Sequence, residues 1–263
     1  MVSPRGTVIA GLKRVDRAIP WATLYRGEDV ECPCCDSGFR RFRRHSGRPN
    51  ARCPRCASLE RHRLQWLWLT REQGDLFEER LDFLHFAPEI AFEQRLSELP
   101  NLHYVGADLL PKGNQVRVDI MNIQFEDASF DVILCNHVLG EVPDDRRAIM
   151  ELHRILRPGG RLIAQMPVDH DHAETSEDRR PAPRPGEPQP TGANIRRYGR
   201  DFVERLAAPG FAVEEIRYLE TVPQAERRRY ALEEVGGEAR GNDIYVATRS
   251  ASEAGSPPLR PPA

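Results

Sequence analysis

The sequence predicts an α/β chain, a doubly wound and mostly parallel seven-stranded sheet with a small cysteine-bearing module in front of it. Three observations carry that expectation. From Leu81 onward, short apolar runs alternate with stretches of helical periodicity, the pattern of a parallel sheet with helices on both faces. Five of the six cysteines crowd between Cys32 and Cys56. A segment that short cannot bury a core of its own, so something other than apolar packing has to hold it.

The elements follow in chain order. Residues 1–30 place Ile9, Leu12, Val15 and Ile19 at near-helical spacing, which predicts a helical segment. Arg5, Lys13, Arg14 and Arg17 are scattered through it without a continuous apolar stretch, so no secretory signal is expected. No run of about 18 apolar residues occurs, which predicts no transmembrane helix, no membrane partner and a cytoplasmic location.

Residues 31–63 form the module. Cys32-Pro33-Cys34-Cys35 and Cys53-Pro54-Arg55-Cys56 are two copies of C-P-x-C, giving C-x2-C-x17-C-x2-C, a zinc-ribbon spacing. Each short turn presents two thiolates to one side, and two turns close a tetrahedron around Zn²⁺. The repeat favours Cys32, Cys35, Cys53 and Cys56 as ligands, with Cys34 the alternative to Cys35. A pair of disulfides is the competing reading, and a reducing cytoplasm disfavours it. Four protein ligands leave no position for water, so the zinc is expected to be structural. Cys135 lies in an apolar run and reads as a small core residue. Nine arginines between Asp36 and Arg63 could meet a phosphate backbone. Arginine is abundant throughout the chain, however, and that bias alone produces such a segment.

Residues 64–80 read as a linker helix, its run of Leu64, Trp66, Leu67, Trp68 and Leu69 packing the module onto the main domain. Residues 81–249 make that domain. Strands are expected at 81–86, 102–107, 115–118, 130–135, 161–166, 212–218 and 243–248, and helices at 90–99, 144–156 and 202–206. Pro158-Gly159-Gly160 reads as a turn. Residues 169–193, rich in Asp, Glu, Arg and Pro, read as a mobile insertion, and 250–263, with four prolines, as a disordered tail.

Ligands of a doubly wound sheet bind beyond the carboxyl ends of its strands. The polar residues there are 85–89, Asp108, Asp119 and 136–141, and a carboxylate at the tip of the second strand suits a ribose diol. The run 130–139, FDVILCNHVL, resembles the fourth-strand segment of class I S-adenosylmethionine-dependent methyltransferases. The run 152–163, LHRILRPGGRLI, is similar to the helix, turn and fifth strand that follow in that family. The C-P-x-C module resembles that of a methyltransferase subgroup with an N-terminal zinc ribbon. The resemblance implies a Rossmann-like methyltransferase fold and S-adenosyl-L-methionine as cofactor. By position it implies that Asp108 binds the ribose, that Asp119 and the backbone of Ile120 face the adenine, and that Asn136 and His137 line the methionine and acceptor side. Phe86 and Ala87 would approach the cofactor backbone. The family's acid and glycine-rich turn are missing: His85 stands at the acid's place and Ala87 at the first glycine's, leaving Glu89 to face the methionine ammonium.

Methyl transfer needs a base only when the acceptor must lose a proton. His137 is the first candidate, as base or as cofactor-lining residue. Asp169, His170 and His172, beyond the fifth strand, are the others. Arg196, Arg197 and Tyr198 follow the insertion, either closing over an acidic or hydroxylated acceptor or opening a basic helix. Three functions fit these residues: a methyltransferase acting on a small hydroxylated acceptor (a sugar or secondary metabolite), an RNA methyltransferase gripping its substrate with the arginine-rich module, and a non-catalytic protein retaining the fold.

Overall fold

The structure is a computed structural model that describes residues 20–177, 194–233 and 242–251. A short helix, α1 (Pro20–Leu24), leads into two hairpins, β1 (Arg26–Cys32) with β2 (Ser37–Phe39) and β3 (Arg43–His45) with β4 (Arg48–Arg52). The helix expected through residue 30 therefore gives way to a strand at Arg26, because Val30 and Cys32 point their side chains into the module's interior. The earlier part of that expectation, residues 1–19, lies outside the described residues. Two helices follow, α2 (Glu60–Glu72) and α3 (Asp75–Glu78).

The main domain runs β5 (Leu81–Phe86), α4 (Ile90–Leu96), β6 (Leu102–Asp108), β7 (Val116–Arg117), β8 (Phe130–Asn136), α5 (Asp145–Ile155) and β9 (Leu156–Gln165). A small hairpin, β10 (Ser176–Glu177) and β11 (Arg196–Arg197), brackets the insertion. The insertion's middle, 178–193, falls outside the described residues, as does 252–263 of the expected tail. Then come α6 (Phe202–Ala207), β12 (Phe211–Ile216), α7 (Tyr218–Thr221), α8 (Gln224–Arg229) and β13 (Ile244–Arg249). Seven strands form one sheet in the order β12-β13-β9-β8-β5-β6-β7, in which β13 runs antiparallel to both of its neighbours. The other pairings are parallel.

Alternation along the central strands explains why helices cover both faces. Phe83, Val132, Leu134 and Ile163 face one core cluster with α2 and α4. Leu84, Ile133, Cys135, Leu162 and Ala164 face the other with α5 and α6. The first cluster also contains Cys32, Cys34, Phe39, Phe42, Cys53 and Cys56, so the module shares its core with the sheet. Helix α5 starts as its sequence dictates, with the Asp144 carboxylate accepting from the Arg147 N–H at 2.9 Å.

Pro158-Gly159-Gly160, expected as a turn between elements, lies within β9 as a register irregularity: Phe130 pairs with Leu156 but Val132 with Arg161. Gly159 has φ +82°, and a Cβ on Gly160 would stand 2.9 Å from the carbonyl oxygens of both Arg157 and Asp131. Glycine is required at both positions, one for its backbone angle and the other for close approach. Among the described residues no helix is long and apolar enough to cross a membrane.

Candidate functional site

The strand order reverses at the centre of the sheet. From β5 the chain moves outward to β6 and β7, then returns to place β8 on the other side of β5. The crevice beyond the carboxyl ends of β5 and β8 is therefore the topological switch point, the place where such sheets bind ligands. Two non-glycine residues with left-handed backbone sit there, Ala87 (φ +47°) after β5 and His137 (φ +58°) after β8. Alanine at the place of the expected glycine thus adopts the glycine-like conformation, at a steric cost that a side chain imposes. Neighbouring strand ends held in this region are typical of sites where geometry serves a ligand.

Between them lies a hydrogen-bonded cluster. Glu89, N-cap of α4, accepts from His85 Nε2 at 2.8 Å through one oxygen and from Asn136 Nδ2 at 3.1 Å through the other. The Tyr104 hydroxyl holds the far side of the His85 ring at 2.9 Å. Gln65 and Asn136 pair reciprocally through their amides at 2.7 and 3.0 Å. His62 Nε2 stands 3.9 Å from Glu89. His62 and Gln65 both lie on α2, three residues apart and so on one helical face, which turns the helix following the module into a wall of the site.

Charge is distributed unevenly here. Burial alone would raise the Glu89 pKa, but the hydrogen bond and field of His85, with the field of His62, bring it down to about 2. Burial pushes His137 down to about 3, helped by Arg61, and His62 down to about 4. The centre thus holds a lasting carboxylate beside two neutral imidazoles at neutral pH.

The sign of the resulting pH dependence can be worked out. His62 and His137 are depressed below the unfolded value of about 6.5, so the unfolded chain takes up protons first and stability drains as pH falls below that value. Glu89, also depressed, contributes stability above about 4.3 that is lost as pH falls toward its folded pKa. Urea midpoints measured between pH 7 and 5 should therefore decline less steeply in His137→Asn than in the parent, since asparagine tolerates the left-handed backbone without titrating. Identical slopes would show that His137 does not fold in neutral form.

The remaining candidates occupy three places. Asp108 ends β6 and Asp119 follows β7; each spends Oδ1 on a nearby backbone N–H, of Leu110 at 2.8 Å and Met121 at 2.9 Å, leaving Oδ2 open among the described residues. Phe86 and Ile120 are buried beside them in the second core cluster. Asp169 and His170 belong to a different group: the buried Asp169 carboxylate faces His172 at 3.1 Å, and His170 bonds Asp243 at 2.7 Å. Arg196 and Tyr198 do not close over an acceptor. Arg196 is buried and donates to the carbonyls of Leu139, Val142 and Pro143, and the Tyr198 hydroxyl lies 2.9 Å from both Leu139 O and the Asp145 carboxylate, sharing its one proton between them. They fix the loop that follows β8.

The four expected metal ligands converge. Cys32 Sγ lies 3.6 Å from Cys56 Sγ and Cys35 Sγ 3.7 Å from Cys53 Sγ, and all four sulfurs fall within 4.8 Å of one another. A tetrahedron with Zn–S bonds near 2.3 Å has edges of about 3.8 Å, whereas a disulfide needs about 2.05 Å. The sulfur spacing suits a metal and is longer than a disulfide bond. Ser58 Oγ, 3.1 Å from Cys32 Sγ, and the Arg55 N–H, 3.4 Å from Cys53 Sγ, supply outer hydrogen bonds to the sulfurs. Cys34 is buried but outside the tetrad, its Sγ directed at the His62 carbonyl at 3.7 Å.

Sequence reasoning missed His62, Gln65 and Tyr104. The first two interrupt an apolar run that reads as pure packing; polar letters at i and i+3 on that helix were the available signal.

Residues 94–164 match the methyltransferase domain family. That stretch runs from α4 to β9 and includes Asp108, Asp119, Asn136 and His137. Trans-aconitate 2-methyltransferase of Deinococcus radiodurans is 41% identical over 68 residues, 26% of this chain and 25% of that protein. Demethylmenaquinone methyltransferase of Staphylococcus epidermidis is 34% identical over 83 residues, 32% of this chain and 30% of that protein. The alignments thus span a third or less of these relatives. An S-adenosylmethionine-dependent methyltransferase structure from Mesorhizobium loti superposes with a TM-score of 0.51 at 18% identity, over 71% of this chain and 98% of that one. The fold is the Rossmann-like fold of class I methyltransferases.

Proposed function

We propose that the protein is an S-adenosylmethionine-dependent methyltransferase acting on a small hydroxylated acceptor, with a structural zinc in its front module. The observation that carries this reading is the coincidence of the family match with the switch point: the matched stretch supplies the acids at the ends of β6 and β7 and the Asn136-His137 strand end. The residues fit the cofactor. Asp108 Oδ2 would hold the ribose hydroxyls, Asp119 and the Ile120 backbone would face the adenine, and Glu89, charged at all ordinary pH, would face the ammonium. The bound cofactor supplies a methyl group already activated by its sulfonium.

The chain's own task is then alignment and exclusion of water. Ala87 and His137 bring two strand ends close to the ligand. His137 is neutral and weakly basic, which suits accepting a hydrogen bond from an acceptor hydroxyl rather than carrying its proton away. The module's arginines give the RNA reading less support, since several are spent internally: Arg63 is buried, Arg48 pairs with Glu60 at 3.3 Å, and Arg55 bonds Ser37 at 2.8 Å. The acceptors named for the two relatives differ from one another, so neither is carried over.

Calorimetric titration with S-adenosylmethionine tests the reading. Saturable binding is expected, weakened at least ~tenfold in Asp108→Ala, which removes a charge-assisted contact to the ribose. No heat from the metal-loaded parent protein would end the proposal, as would unchanged affinity in the variant for the role of Asp108.

A further inference from the structure

One group of polar atoms at the carboxyl edge of the sheet makes none of the hydrogen bonds of the cluster around Glu89. His62 Nε2, His137 Nε2, Gln165 Oε1 and both side-chain polar atoms of Asn242 are buried without a hydrogen-bond partner among the described residues. They come from α2, from the ends of β8 and β9, and from the approach to β13, yet they are neighbours. The His137 N–H donates to the Gln165 carbonyl at 2.9 Å. Gln165 Nε2 reaches the carbonyl of Asn242 at 3.4 Å and that of Arg61, next to His62, at 3.5 Å. Roughly nine in ten buried polar groups in folded proteins are paired, so four neighbouring residues left open call for a common explanation.

Their chemistry is specific. His62 Nδ1 accepts from the Leu59 N–H at 3.2 Å, so the ring proton of the neutral imidazole sits on Nε2, a donor. Gln165 directs its amide nitrogen at carbonyls and leaves an acceptor oxygen. Asn242 offers one donor and one acceptor, and His137 Nε2 serves as either. Neutral donors and acceptors in alternation match groups that are both at once, as hydroxyls on adjacent carbons are. One cation, Arg61, acts on both His62 and His137, whereas an anionic ligand would call for several converging on it.

We propose that this patch is the acceptor pocket, that it takes an uncharged polyhydroxylated small molecule, and that His62, Gln165 and Asn242 select it. The proposal rests on the methyltransferase reading above for the word acceptor; the pocket itself rests on the open polar atoms. It also gives the metal module a direct part in recognition, because His62 arrives on the helix that the module anchors.

The test uses the full metal-loaded chain saturated with S-adenosylhomocysteine. A panel of methyl glycosides is titrated against it by calorimetry, with tricarballylate as the anionic comparison. Saturable binding of a glycoside is expected, weakened at least ~tenfold in Gln165→Met and in His62→Phe, as for a site built to bond a hydroxyl. S-adenosylhomocysteine affinity should hold in Gln165→Met, which shows that the variant is folded. Binding of tricarballylate with no glycoside bound, no binding by any glycoside, or glycoside binding untouched by both variants would overturn the pocket assignment. Glycoside binding without S-adenosylhomocysteine binding would retain the pocket and remove the cofactor reading.

Discussion

Replacing Cys56 with serine should reduce the zinc content from ~1 per chain to near zero and abolish cofactor binding with it. The first effect follows from the tetrad, in which the four sulfurs already stand at metal-site spacing. The second follows from shared architecture. Cys32, Cys53 and Cys56 belong to the same core cluster as Leu64, Trp66, Phe83 and Val132. Losing the metal therefore loosens α2, which carries His62 and Gln65 against Glu89 and Asn136. Structural zinc in small modules supplies about 10–16 kcal/mol of binding free energy, far more than these few apolar residues can replace. Cys34→Ser is the control: its sulfur lies outside the tetrad, so metal content should be retained. Metal analysis with S-adenosylhomocysteine calorimetry on both variants decides the matter. A Cys56→Ser protein that lost its zinc but kept full cofactor affinity would show the module to be an independent appendage.

How much of this was legible in the sequence depends on the range of the interaction concerned. The convergence of the four cysteines was readable because their spacing is local. The sheet was readable because strands buried on both faces are continuous apolar runs such as 130–135. Asp108 and Asp119 were placed at strand ends by counting alone. His62 and Gln65 were not found, because their role depends on where α2 lands in three dimensions, with Gln65 and Asn136 separated by 71 positions. The hairpin β1–β2 was also missed at its start, since Arg26 to Asp29 carries no apolar alternation and is paired only through the turn at the cysteines. Arg196 and Tyr198 were read either as closing over an acceptor or as opening a basic helix, whereas burial, invisible in sequence, assigns them to carbonyls of the loop after β8.

Arg63→Met should be among the most destabilising single substitutions in the chain. The side chain is completely buried and has no carboxylate hydrogen-bond partner among the described residues. Its Nε donates to the Tyr230 carbonyl at 2.7 Å, Nη1 to Ala51 and Ser58 at 2.9 and 3.1 Å, and Nη2 to Ala231 at 2.6 Å. The guanidinium also lies over the Phe42 ring, 4.2 Å from its centroid. One residue thus ties the module, α2 and the segment after α8 together. Burying a cation against carbonyls alone is costly, and two features offset that cost here: the ring face, and the negative charge that four metal-bound thiolates would place in the same core. Methionine fills the volume but leaves four carbonyls unmatched, at about 1–3 kcal/mol for each one that water cannot reach, so a net loss of about 3–5 kcal/mol is expected. Lysine keeps the charge yet has three donors on a single atom and cannot span carbonyls on three segments, so Arg63→Lys should recover little of the loss. Urea unfolding of the metal-loaded protein, followed by fluorescence of the buried Trp66 and Trp68, reads the effect. A change below about 1 kcal/mol, the ordinary cost of a point substitution, would mean that the carbonyls find other partners and that the three segments are held by apolar packing alone.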